Sequence, residues 1–285
     1  MNYYHVDVFS EKALSGNGLT VIFPEKSLSD KMMLEITCEL KQFESIFIFP
    51  QNDEGIFPAK IFTIDEELLF AGHPILGAGA VIHQLFFSDH LYTNIQIGLS
   101  NRNIKIQSIK SDVSYKVTMN QGKAVFINEV ATSHHDEIAK ALNITKDDLD
   151  TNFPVEVVST GLPYLLVPLK SNIGKSKITH NNFEDFLSAF EAKFAYLFDT
   201  NTLECRTWDN NAHTEDVATG SAAGPLCAYL VKHKMKKPNE KIHLHQGRFV
   251  NRPSIIAGWV SQSDHDESVF ITGNVSFFAS GVIQI

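Results

Sequence analysis

Cysteine is scarce: Cys38, Cys205 and Cys227 are the three in 285 residues, and they lie far apart. Widely spaced thiols offer no metal-ligand pair, and an odd count argues against a disulfide framework, so a reduced, cytoplasmic compartment is expected. Basic charge is scarce as well, with 24 Lys and Arg against 33 Asp and Glu and a formal net charge of −9. That balance argues against nucleic acid as a partner. The dense basic run, Lys232 to Lys237, falls at the expected C-terminal end of a helix, where cations pair favourably with the dipole on a solvated surface. No apolar run is long enough to span a bilayer, and Met1 to Asp7 has neither the basic start nor the apolar stretch of a signal peptide, so no membrane partner is expected.

Several signatures are missing too. Gly16-Asn17-Gly18 lacks the third glycine of the dinucleotide fingerprint, Gly72 to Gly79 has the wrong spacing, and no Gly-x-x-x-x-Gly-Lys occurs. His243 and His245 alternate onto one face of a strand and His134-His135 adjoin, but neither pair joins a ligand set, and both read as surface histidines. Ser221 is not inside a Gly-x-Ser-x-Gly elbow. These absences predict a site with no nucleotide, no flavin and no metal.

What is present is a packed chain, 44% hydrophobic and 20% charged, long enough for two domains. Strand-like runs recur at Tyr4-Phe9, Leu19-Phe23, Ser45-Phe49, Lys60-Ile64, Asn94-Ile97, Ile104-Ile109, Tyr115-Met119 and Ala124-Ile127. Two helices interrupt them, Asp30 to Lys41, with Ser29 or Asp30 as cap, and Pro74 to Phe87. After Asn128 the pattern predicts helices near Ser133 to Leu142, at Phe183 to Phe194 and after Gly220. It places strands at Val155-Ser159, Tyr164-Pro168, Leu203-Trp208, Lys241-His245, Ser254-Val260, Val269-Thr272 and Phe277-Ile283. The polar stretch at Asn120-Gln121-Gly122 is the boundary cue, giving a half over 1–120, a half over 121–273 and a last strand, about 274–285, that returns to the first half.

Two segments share a design. Gly72-His73-Pro74 opens the apolar run Ile75 to Phe87, and Thr219-Gly220-Ser221 opens the small-residue run Ala222 to Val231. A helix start with small or polar residues leaves backbone N–H groups and partial positive charge pointing outward, and two such ends facing one another would bind a carboxylate. A helix that is apolar all round is buried on all sides. The expected fold class is therefore α+β, with two pseudo-symmetric domains, each a curved, mostly antiparallel sheet wrapped around a central helix, and with the helix starts at a cleft.

The remaining chemistry is acid/base. Glu44 lies between Phe43 and the apolar strand Ser45 to Phe49 and reads either as a solvated carboxylate at a strand entrance or as a partly desolvated one whose raised affinity for a proton suits a general acid/base. His73 reads either as a site residue or as a plain helix N-terminal residue, and Asp216 either as a site residue or as a cap for the following helix. The convergence of these two with Glu44 favours the site.

Glu66 to Gly77 and Glu215 to Leu226 resemble the two signature motifs of the PhzF family of phenazine-biosynthesis-like isomerases, and the likeness runs on through Ser159 to Pro163, Gln246-Gly247 and Arg252-Pro253-Ser254. The resemblance implies a fold like that of diaminopimelate epimerase, with Glu44 as proton shuttle. It also implies that His73, Asp216 and Ser221 line the site, with Thr219, and that Gly72 and Gly220 offer backbone donors. A homodimer is expected by the same analogy. Ala71 and Ala218 stand where the epimerase relatives carry two acid/base cysteines, Lys41-Gln42-Phe43 replaces an Asn-Leu-Ser-like lead, and Val217 and Tyr164 replace a common Pro and His. The two-thiol racemase mechanism is thereby excluded. The expected activity is cofactor-independent isomerisation of a small carboxylate-bearing metabolite. The alternatives are a non-catalytic metabolite-binding protein and a cofactor-independent epimerase.

Overall fold

The apolar helix that opens at Gly72 marks the first core: every residue from Gly72 to His83 is buried. The computed structural model describes residues 1–262 and 267–285. It divides into a unit of Met1–Asn120 with Ile271–Ile285 and a unit of Gln121–Phe270.

The first unit carries β1 (Asn2–Val8), β2 (Asn17–Phe23), α1 (Asp30–Leu40), β3 (Ser45–Ile48), β4 (Ile56–Phe62), the short β5 (Glu67–Leu68) and α2 (Gly72–Phe86). After α2 come β6 (Tyr92–Gly98), β7 (Asn103–Lys110) and β8 (Tyr115–Gly122). The strand order is β1-β2-β3-β4-β6-β7-β8, with β5 paired to β4. Pairs β2/β3 and β4/β6 are parallel and β1/β2, β3/β4, β6/β7 and β7/β8 antiparallel. Central strands β2 and β3 are covered on both faces, whereas β6 and β7 alternate buried and exposed residues as a half-solvated sheet must.

Helix α1 begins at Ser29, whose side chain accepts the Met32 N–H, and ends at Lys41 in the left-handed conformation. Helix α2 packs on β1, β2, β3, β6 and β7. Gly77 permits that approach, because a Cβ there would overlap Leu19 Cδ2 and come within 3.2 Å of Val6 and Val8 methyls. The buried His83 on the same helix is satisfied structurally, with Nδ1 2.8 Å from Ser108 Oγ and Nε2 2.9 Å from the His90 carbonyl.

The second unit carries β9 (Val125–Glu129), α3 (His135–Ala141), β10 (Glu156–Ser159), β11 (Pro163–Leu169), α4 (Phe183–Ser188), β12 (Phe194–Asp199) and β13 (Glu204–Arg206). It continues with α5 (Gly220–Lys232), β14 (Ile242–Gln246) and β15 (Ser254–Gln262). The order β9-β10-β11-β12-β13-β14-β15 follows the chain, with β11/β12 and β13/β14 parallel and the other pairs antiparallel. Leu165 and Val167 of β11 join Ile138, Leu142, Phe183 and Leu187 in one core. The residues between them point the other way, toward α5, which packs on β10, β11 and β15. Strand β16 (Glu267–Val282) carries the unit boundary within its length, and its Val275-to-Val282 end pairs antiparallel with β1.

The periodicity misplaces three features. The helix expected over Phe183 to Phe194 stops at Ser188, because Phe183 and Leu187 bury its one apolar stripe, Glu191 turns into the left-handed region at φ 65°, and Phe194 begins β12. The two strands expected at Val269-Thr272 and Phe277-Ile283 are one continuous β16. Of the four histidines read as surface residues, His134, His243 and His245 are exposed, but His135 is 4% exposed because it opens α3 beneath the Val130 turn.

Candidate functional site

In the first unit, three chain segments meet at the start of α2. Strands β2 and β3 run parallel, with Thr20 opposite Ser45, so both begin at the same end. Asn17 is the first residue of β2 and Glu44 immediately precedes β3. Glu44 Oε2 lies 2.9 Å from His73 Nδ1, with the two side chains 8% and 3% exposed. The contact falls outside hydrogen-bond geometry at Oε2. Asn17 Nδ2 sits 3.4 Å from the same His73 Nδ1. Gly72 is the first residue of α2, and Ala71 before it provides no side-chain cap.

In the second unit the α5 start is built from polar side chains. Thr219 occupies the cap position but makes no capping bond to the helix; its hydroxyl donates to Asp216 Oδ2 at 2.6 Å instead. Ser221 Oγ is 2.7 Å from the Tyr164 hydroxyl, both residues being buried. The Gly220 carbonyl accepts from Gln121 Nε2 at 2.9 Å, and Gln121 Oε1 accepts from Thr160 Oγ1 at 2.8 Å. Pro225 lacks the N–H that would bond back to the Ser221 carbonyl.

The loop carrying Asp216 is fixed from both sides. The Asp216 N–H donates to the Thr207 carbonyl at 3.0 Å. Its neighbour Glu215 receives a two-point bond from Arg206, at 2.8 and 2.5 Å, while that guanidinium also donates to the Ile173 and Ser176 carbonyls and lies over Trp208 and Phe249.

Burial pushes the Cys227 thiol up to about 12 and the Cys205 thiol higher still, so neither supplies a thiolate base near neutral pH. Among the described residues no group of three or more His, Cys, Asp or Glu could hold a metal ion. No helix is long and apolar enough to cross a membrane, again among the described residues.

Of the residues singled out in the sequence, Glu44, Gly72 and His73 lie in the first unit and Asp216, Thr219, Gly220 and Ser221 in the second. The structure joins Glu44 to His73 and Asp216 to Thr219. Sequence reasoning assigned no role to Asn17, Gln121, Thr160 or Arg206. Their contacts span 30 or more residues for His73, Gln121 and the Ile173 turn, and no local pattern encodes such pairs.

The sequence pattern of the family described as phenazine biosynthesis-like protein, PhzC-PhzF, matches residues 6–281. This chain belongs to that family. A trans-2,3-dihydro-3-hydroxyanthranilate isomerase of Pseudomonas chlororaphis is 29% identical over 297 residues, covering 100% of this chain and 99% of that one. A solved structure titled a predicted epimerase from Pseudomonas aeruginosa superimposes with a TM-score of 0.93 at 39% identity, covering 100% and 99% of the two chains. A Bacillus anthracis phenazine biosynthesis protein of the PhzF family shares the fold, with a TM-score of 0.86 at 18% identity and coverage of 100% and 99%. The chain is an enzyme of the isomerase class, of PhzF type.

Proposed function

We propose that this PhzF-type isomerase moves a proton within a small carboxylate-bearing metabolite by general acid/base catalysis without a cofactor, with Glu44 as the shuttle. One observation carries the reading: a buried carboxylate 2.9 Å from a buried imidazole, in a setting where a proton can be held and returned. Glu44 takes a proton from a carbon beside an unsaturated or carbonyl group. The electron pair delocalises into that group, and Glu44 returns a proton to another carbon, so the formula of the molecule is unchanged. His73 orients the Glu44 carboxylate, and Asp216 orients a polar substituent.

Backbone N–H groups at Gly72-His73 and at Gly220-Ser221 are the proposed donors to carboxylate and to developing negative charge, with Thr219 lining the α5 start. Preorganised donors of this kind supply a large share of catalysis in many enzymes. A cytoplasmic setting and a homodimer belong to the same proposal.

The test is incubation with trans-2,3-dihydro-3-hydroxyanthranilate in deuterated water, followed by NMR and mass spectrometry. The reading expects a rearranged product and deuterium at the receiving carbon, both lost in Glu44→Gln. Binding without exchange would instead identify a metabolite-binding protein. Inversion at a single carbon would identify an epimerase.

A further inference from the structure

Gln246 ends β14 and is 1% exposed, yet all four hydrogen-bonding directions of its amide are used. Its Oε1 accepts from the Thr219 N–H at 3.1 Å and from the Tyr196 hydroxyl at 2.9 Å. Its Nε2 donates to the Asp216 carbonyl at 2.9 Å and to Thr219 Oγ1 at 2.9 Å. The orientation of the amide follows from these partners. A backbone N–H must meet oxygen, and a backbone carbonyl must meet the NH₂ group; the flipped amide would break both. Burial holds the Tyr196 phenol well above its usual range, so it remains a donor.

The Thr219 hydroxyl has a single proton. With Gln246 Nε2 occupying one of its lone pairs, that proton is directed to Asp216 Oδ2 at 2.6 Å. Chained hydrogen bonds polarise one another, so the amide strengthens the bond that Thr219 makes to the carboxylate. The next residue holds this hub in register. Gly247 has φ 84°, and a Cβ on it would lie 2.6 Å from the Val217 carbonyl and overlap that of Arg252, so the end of β14 is pressed against the Asp216-Val217 backbone.

We propose that Gln246 is a positioning residue that aims the Asp216 carboxylate through the Thr219 hydroxyl. The inference rests on the reading of Asp216 as part of the site. Gln246 donates to Asp216 at its backbone carbonyl and reaches the carboxylate through the Thr219 hydroxyl. A purely structural Gln246 would therefore alter stability and leave the carboxylate where it is.

The experiment labels aspartate side-chain carboxyls with ¹³C, assigns Asp216 from its loss in Asp216→Asn, and compares Gln246→Met, Thr219→Val and Thr219→Ser with the parent protein at one pH. Gln246→Met and Thr219→Val are expected to move the Asp216 resonance in the same sense, while Thr219→Ser, which keeps the hydroxyl, leaves it near the parent position. If Gln246→Met does not fold, Gln246→Glu, which keeps the size but loses both N–H donors, is read the same way. A Gln246 variant with the parent Asp216 resonance, and the parent Asp216 rotamer in a crystal, overturns the inference.

With trans-2,3-dihydro-3-hydroxyanthranilate as probe, Gln246→Met is expected to lower kcat about tenfold with KM changed by no more than about twofold. A parent protein inactive on that probe counts against the proposed substrate class, and the resonance comparison still decides the role of Gln246.

Discussion

Glu44 Oε2 and His73 Nδ1 are 2.9 Å apart although the residues are 29 positions apart in sequence, one at the entrance to β3 and the other in the first turn of α2. The carboxylate and the imidazole are both nearly excluded from solvent.

Glu44→Gln keeps the shape of the side chain and removes its exchangeable carboxyl. Turnover is expected to fall by ~10²-fold or more, the usual loss when a general acid/base is removed, with an unchanged circular dichroism spectrum. Near-normal turnover in this variant would remove Glu44 from the shuttle role.

The Tyr164 and Ser221 hydroxyls form a buried pair at 2.7 Å. Each single variant, Tyr164→Phe or Ser221→Ala, leaves a buried hydroxyl without that partner and is expected to cost about 1–3 kcal/mol of stability, whereas the double variant costs less than the sum. Urea unfolding of the four proteins measures the coupling. Additive losses would show that the pair contributes no interaction energy.

Gly77→Ala places a methyl group against Leu19, which is fully buried in β2. Overpacking of this kind costs roughly 1–3 kcal/mol, and Leu19→Val in the same chain should recover part of it. A melting temperature for Gly77→Ala equal to that of the parent would mean that α2 shifts freely against β2.

Asp148 governs a share of acid stability. Burial works to raise its carboxyl, but hydrogen bonds from Asn172 Nδ2, the Thr145 N–H and hydroxyl, and the Ser171 hydroxyl outweigh burial and hold it well below the usual carboxylate range. A depressed folded-state value means stability that is fully present above the unfolded value of about 3.9 and is lost as pH falls from there through the folded value. Asp148→Asn is therefore expected to lower the melting temperature at neutral pH and to flatten its decline below about pH 4. An unchanged acid limb in the variant would show that Asp148 carries no such linkage.

Much of the fold is legible in local sequence signals. Alternating or short apolar runs marked the strands of the first unit other than the two-residue β5, and an unbroken apolar stretch after Gly72 marked a helix buried all round. Small residues at Gly72 and Gly220 marked the helix starts, and the two long motifs pointed to the family. Apolar pattern alone could not end α4 at Ser188, since Phe190 and Phe194 continue a helical stripe as readily as they begin a strand; the parallel partner β11 decided the matter by pairing with β12.

Tertiary structure also decided the partners of the candidate site residues. Gln246 finds Thr219 and Asp216 across 27 and 30 positions, and Asn17 reaches His73 across 56. A polar side chain carries no sequence signal for which distant donor will satisfy it. That choice is made when burial removes water and favours a geometry in which most buried polar groups are paired.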